Sequence, residues 1–116
     1  MEKSKRTLII INFSHPLTQE VMNQILQSEN ESITYKYTDI EQQLIPCHID
    51  LDKPIQPQIE SLALLVLQTT PENIIIPPAL GVVAFLLARY FGYAKIAWLK
   101  RDGDAMPPKW VLGGIE

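Results

Sequence analysis

The chain has 116 residues, 47% hydrophobic and 20% charged, a balance typical of one globular domain over residues 1–116. Thirteen acidic against ten basic side chains leave a net charge of −3, which argues against a general binder of duplex nucleic acid. The single cysteine excludes an intrachain disulfide. The longest uncharged apolar stretch, residues 74–88, is broken by Pro77-Pro78 and falls short of the roughly 20 residues that span a membrane. We therefore expect a cytoplasmic protein that does not enter a membrane.

The first half of the chain alternates between strand and helix patterns. Residues 7–13 form a continuous apolar, largely β-branched run, which predicts a central strand buried on both faces. Thr18 is a candidate N-cap of a helix that should end near residues 28–30. Residues 32–38 alternate between apolar and polar side chains, which predicts a half-exposed strand near a sheet edge. Residues 44–51 also alternate but contain Pro46, so we expect an extended connection or short strand there.

The second half continues the alternation. The patterns predict a helix over residues 54–67, a buried strand over 73–76, a helix over 79–91 that stops at Gly92, and strands over 95–100 and 109–115. Strands that alternate with helices favour an α/β domain with a mostly parallel sheet and helices on both faces.

Three polar clusters follow predicted strands, where ligands bind in such sheets. They are Asn12-Phe13-Ser14-His15-Pro16, Pro77-Pro78-Ala79-Leu80-Gly81 and Lys100-Arg101-Asp102. The first offers an amide, a hydroxyl and an imidazole just before a helix N-terminus, which attracts phosphate. The alternative for the first cluster is a turn whose side chains only hydrogen-bond to its own backbone. The alternative for the second is a rigid helix start, and for the third a solvated basic pair. We expect a ligand site at this edge of the sheet.

Other chemistries find less support in the residues. Ser14 and His15 are neighbours on a turn, outside a Gly-x-Ser-x-Gly elbow, so a serine nucleophile with a histidine base is disfavoured. No Gly-x-Gly-x-x-Gly follows Ile11, which disfavours a dinucleotide enzyme. Cys47-His48 has no partners at metal-ligand spacing, so we expect neither a metal site nor a cofactor.

The helix predicted over residues 79–91 is apolar on all sides. Such a helix is normally covered on both faces, and the sheet of a small domain can cover only one. We therefore expect the other face to contact a second subunit, with a homodimer as the simplest assembly.

Three segments together resemble Csx-fifteen, a small CRISPR-associated family that accompanies type III systems. They are INFSHPLT (11–18), PPALG (77–81) and Pro-Pro-Lys-Trp-Val (107–111), at similar spacing. The resemblance spans most of the chain, but residues 29–43 do not contribute to it. It implies a Rossmann-like homodimer that binds the messenger cyclic tetra-adenylate.

The resemblance implies a set of ligand contacts, which we complete from the residues around the motifs. The motifs carry over Asn12, Ser14, His15, Pro16, Pro77, Pro78, Ala79 and Leu80, and we add Phe13, Gly81 and Arg101 from their placement.

The function we expect is sponge-like sequestration of cyclic tetra-adenylate, which damps type III antiviral signalling. One alternative is a metal-independent ring nuclease, in which a ribose 2′-OH attacks the neighbouring phosphodiester. His15 would then move a proton while Ser14 and Arg101 steady the phosphate. A further alternative is a structural or adaptor protein without a nucleotide site.

Overall fold

The computed structural model describes residues 6–67, 74–91 and 94–116, over which strands and helices alternate. The strands are β1 (Thr7–Asn12), β2 (Asp39–Leu44), β3 (Ile74–Ile76), β4 (Lys95–Asp102) and β5 (Lys109–Ile115). The helices are α1 (Gln19–Glu31), α2 (Ile55–Leu67) and α3 (Gly81–Ala88). No helix in the described ranges combines the length and apolar character needed to reach across a membrane.

The five strands form one mixed sheet in the order β2-β1-β3-β4-β5. Strands β1 to β4 are parallel, and β5 pairs antiparallel with β4 at the sheet edge. The chain leaves β1 toward β2 on one side and leaves β3 toward β4 on the other. The order of strands therefore switches direction between β1 and β3, and the carboxyl ends of β1, β3 and β4 share one edge.

Helices cover both faces of the sheet. Side chains of α1 pack with Leu8 and Ile10 of β1, whereas side chains of α2 and α3 pack with Ile11 and Phe13 on the opposite face. Successive strand residues point to opposite faces, so the apolar run of β1 serves both cores. Parallel crossovers are right-handed, so the connection toward β2 and the connections running the other way must lie on opposite faces.

The strand expected over residues 32–38 is wrong, because the second strand is Asp39–Leu44. Asn30 holds the preceding segment: its Nδ2 donates to the carbonyl of Tyr37, and its Oδ1 accepts the N–H of Tyr37. Tyr35 remains 79% exposed. Pairing along the edge of β1 then begins at Asp39, opposite Thr7. Strand formation depends on such neighbours more than on intrinsic preference.

The bounds of several other elements differ from the predicted ones by only a few residues. Helix α1 continues to Glu31, α3 is shorter than the predicted 79–91, and β4 continues to Asp102. Helix α2 and strand β5 agree closely with the predicted ranges. Gly92, expected to end the third helix, and Asn73, expected to begin the third strand, lie outside the described residues.

Strands β4 and β5 extend beyond β3 as a two-stranded ribbon, which we define as residues 97–102 paired with residues 109–115. Three polar contacts hold these strands against α1. Lys109 and Lys95 form ion pairs with Glu20 and Glu29, and the N–H of Leu112 donates to Gln24 Oε1 at 3.0 Å. Helix α1 and the ribbon thus form two walls beside the carboxyl edge of the sheet.

Candidate functional site

A cavity of about 600 Å³ opens at the carboxyl ends of β1, β3 and β4, on the face that α1 covers. One wall consists of residues 14–18 and the first turn of α1, and the other consists of Lys109 and Trp110 of β5. Ala97 and Leu99 of β4 and Ile76 of β3 also line it. Its volume falls within the roughly 300–1,000 Å³ of small-molecule sites.

Asn12 shapes the first wall from inside the protein. Its side chain is fully buried, and its Oδ1 accepts the N–H of Ser14 at 2.8 Å. Its Nδ2 donates to the carbonyl of His15 at 2.8 Å and to Gln42 Oε1 at 3.2 Å. Gln42 in turn accepts from the N–H of Leu17 and donates to its carbonyl. Because both of its polar atoms are engaged within the chain, Asn12 positions the loop.

Ser14, His15 and Pro16 are exposed and line the cavity. Within the described part of the chain, neither the Ser14 hydroxyl nor the His15 imidazole has a hydrogen-bond partner. Just beyond them Thr18 caps α1, with its Oγ1 accepting the N–H of Val21 at 3.3 Å. The free side chains therefore stand beside a helix N-terminus, whose first N–H groups lack partners within the helix.

The motifs at residues 11–18 and 77–81 meet at the carboxyl edge of the sheet, but their residues line spaces on both faces of it. Pro77 and Ala79 line the cavity. Phe13 and Pro78 instead line a smaller gap of about 140 Å³ under α3, where the Phe13 and Phe91 rings lie 6.4 Å apart. Pro77 borders both spaces.

The remaining predicted contacts, Leu80, Gly81 and Arg101, are not among the residues that line the cavity. Leu80 is the N-cap position of α3, and Gly81 is its first residue; both are exposed. Arg101 is exposed on β4 and is the cross-strand partner of Trp110, so it stands next to a lining residue. Side chains paired across strands share one face, so Arg101 lies on the same face of the ribbon as Trp110.

The cavity is also lined by three residues that were not predicted as contacts: Glu20, Lys109 and Trp110. Lys109 Nζ donates to the two carboxylate oxygens of Glu20 at 2.9 and 3.2 Å. That hydrogen bond and the charge of Glu20 raise the pKa of Lys109, so the amine is a cation at neutral pH. The Pro-Pro-Lys-Trp-Val segment contained both ribbon residues and was the one signal for them.

Chemically, this arrangement offers an aromatic ring, an imidazole, a hydroxyl, a lysine and a helix N-terminus around one cavity. These groups suit a ligand with flat bases and anionic phosphates. Within residues 6–67, 74–91 and 94–116, no three histidine, cysteine or acidic side chains gather as a metal-binding group. No protein-family model matches the chain, and neither a curated protein nor a solved structure matches it.

Proposed function

We propose that this protein binds cyclic tetra-adenylate in the cavity beside the β1–α1 loop and sequesters it. The observation that carries the proposal is the cavity itself, which lies at the switch in strand order and combines Trp110 with exposed Ser14 and His15. An aromatic ring can stack on adenine, while hydroxyl, imidazole and backbone N–H groups can bind phosphate. The resemblance of the loop and of the 77–81 segment to Csx-fifteen supports this particular ligand.

The strand order supports a finer proposal for the fold. The order 2-1-3-4-5 is one of the doubly wound arrangements that bind nucleotides at the switch between the first and third strands. We assign the domain on this basis to the Rossmann-like group, with an antiparallel fifth strand as a departure. Its cytoplasmic location follows from the same proposal, because type III signalling takes place inside the cell.

A homodimer fits the proposed ligand. A cyclic tetranucleotide can adopt two-fold symmetry, so a two-fold dimer would present each motif twice. On α3, Val83 and Leu87 are buried, whereas Phe85 is 81% exposed and Val82 is 45% exposed. We propose that the exposed face of α3 lies in the contact between the two copies.

Ring cleavage is the second candidate function, and the free imidazole of His15 on the cavity wall favours it. Attack by a ribose 2′-OH on the adjacent phosphodiester breaks the P–O5′ bond and yields a 2′,3′-cyclic phosphate and a 5′-OH; the 2′-OH proton passes to a base, and the leaving 5′ oxygen takes a proton from an acid or from water. A positioned acid or base contributes about 10²–10⁴-fold to such a step. His15 is the residue that would take this role, with Ser14 and Arg101 holding the phosphate.

One experiment separates the candidates. The purified protein is incubated with a large excess of cyclic tetra-adenylate, and the nucleotide is recovered by denaturation and chromatography. Sequestration predicts saturable binding, a raised melting temperature and an intact ring. Many turnovers that His15→Ala abolishes would establish a nuclease instead. A melting temperature unchanged by cyclic tri-, tetra- and hexa-adenylate would leave the adaptor function.

A further inference from the structure

The cavity contains an ion pair that joins its two walls. Glu20 lies in the first turn of α1, Lys109 is the first residue of β5, and both line the cavity. Their side chains are 55% and 46% exposed. A solvated pair of this kind is weak, so a ligand that offers Lys109 a different anion can replace Glu20.

We infer that Lys109 contacts a phosphate of the bound nucleotide and that Glu20 is its internal competitor, which occupies the amine until the ligand displaces it. This inference rests on the proposed function and adds to it the residues that set affinity. A phosphodiester oxygen would accept the charge-assisted hydrogen bond that the Glu20 carboxylate accepts in the free protein.

Glu20 lies where the helix dipole favours an anion, whether that anion is its own carboxylate or a phosphate of the ligand. An acidic side chain in the first helical turn is stabilised by the helix dipole, which holds Glu20 near Lys109 when the cavity is empty. The same dipole favours a phosphate at the same place, so the helix N-terminus remains neutralised after exchange. Because Glu20 and the phosphate carry like charge, the carboxylate opposes every anion that enters.

The ion pair at the other end of α1 differs in a way that makes it a matched control. Glu29 pairs with Lys95 at 3.0 Å, and the Glu29 side chain is only 9% exposed. Neither residue lines the cavity. Both pairs dock α1 onto the strands β4 and β5, but only the pair of Glu20 and Lys109 can meet a ligand.

Calorimetric titration with cyclic tetra-adenylate tests the inference on the full chain and on Glu20→Gln, Lys109→Met and Glu29→Gln. We expect Glu20→Gln to tighten binding about three- to tenfold, because one like charge is removed. Lys109→Met should weaken binding by about tenfold or more and reduce the dependence of affinity on salt by about one ion. Glu29→Gln should leave the affinity unchanged, and circular dichroism checks that each variant is folded.

Each contrary outcome has its own meaning. If wild type binds but Glu20→Gln and Lys109→Met bind with the same affinity and salt dependence, the inference is wrong and the proposed function stands. If Glu20→Gln and Glu29→Gln change affinity equally, the cause is loosening of α1, and the claim that Glu20 competes with the ligand for Lys109 is wrong. If neither wild type nor any variant binds cyclic tetra-adenylate, the proposed function is wrong, and so is the inference that rests on it.

Discussion

The side chain of Asn12 holds the end of β1 and the start of the cavity wall in one buried position. It bonds to the backbone of Ser14 and His15 and to the side chain of Gln42. Gln42 belongs to the neighbouring strand β2 and bonds in turn to the backbone of Leu17. A buried hydrogen-bond network thus holds the loop that carries the exposed side chains of Ser14 and His15.

Asn12→Ala should therefore damage both stability and the site. Leaving these buried polar groups unpaired costs about 1–3 kcal/mol in the free energy of unfolding. The loop also loses its anchor, so we expect weaker binding of cyclic tetra-adenylate. Urea denaturation and calorimetry measure the two effects.

The control is Asn23→Ala, because Asn23 lies on the exposed surface of α1 and accepts one hydrogen bond from Gln19. It should change the free energy of unfolding by less than about 0.5 kcal/mol. Equal effects of the two substitutions would show that the network around Asn12 does not hold the loop.

At the scale of elements, the ribbon of β4 and β5 depends on two glycines. The indole of Trp98 lies against Gly113 and Gly114, and a Cβ on Gly113 would stand 2.2 Å from Trp98 Cε3. The register between the strands also shifts here: Trp98 faces Gly114, while Leu99 faces Leu112. The glycines therefore leave room for the ring at the point where the register of the ribbon shifts.

Gly113→Ala should displace the Trp98 ring and destabilise the protein by about 1–3 kcal/mol. In a Trp110→Phe background, where Trp98 is the single tryptophan, we expect its emission to move to longer wavelength as the ring becomes more exposed. Gly103→Ala is the control, since nothing lies within 4 Å of its added Cβ. Unchanged emission and stability in Gly113→Ala would contradict close packing of the ring on the glycine.

At the scale of the whole molecule, the exposed apolar side chains of two helices support the proposed dimer. Phe85 and Val82 of α3 are exposed, as are Leu64 and Leu65 of the neighbouring helix α2. Exposed large apolar side chains on two helices that contact each other are typical of an interface. The net charge of −3 is small enough to allow two copies to associate.

Phe85→Asp should convert a dimer to a monomer and weaken ligand binding at the same time, because a shared site needs both copies. Sedimentation velocity measures the assembly, and calorimetry measures the affinity. Tyr35→Asp is the matched control: Tyr35 is an equally exposed aromatic residue, 79% against 81%, and belongs to the connection between α1 and β2. A monomeric Phe85→Asp variant with full affinity would refute a site shared between copies.

Much of the fold could be predicted from local patterns. The apolar β-branched runs of β1 and β3 and the helical spacing of α2 are properties of a few adjacent residues, so they appear directly in the sequence. The strand β2 could not be found this way. Its residues Asp-Ile-Glu-Gln-Gln-Leu carry little strand preference, and pairing with β1 makes them a strand.

Some residues of the candidate site could likewise be predicted from local patterns, and others could not. Ser14 and His15 were predicted because they follow a recognisable strand and precede a recognisable helix cap, both local features. Lys109 and Trp110 were missed because they reach the cavity only after β5 folds back along β4 and docks on α1.

Local patterns along the chain account for the α/β alternation, the buried strands and the loop that carries Ser14 and His15, since each depends on side chains that are close together in the chain. Contacts between elements that are far apart in the chain set the strand order, the antiparallel direction of β5 and the second wall of the cavity. The contact between Glu20 and Lys109 joins residues 89 positions apart. Such contacts depend on how completed elements pack together, and no local period of the sequence encodes that packing.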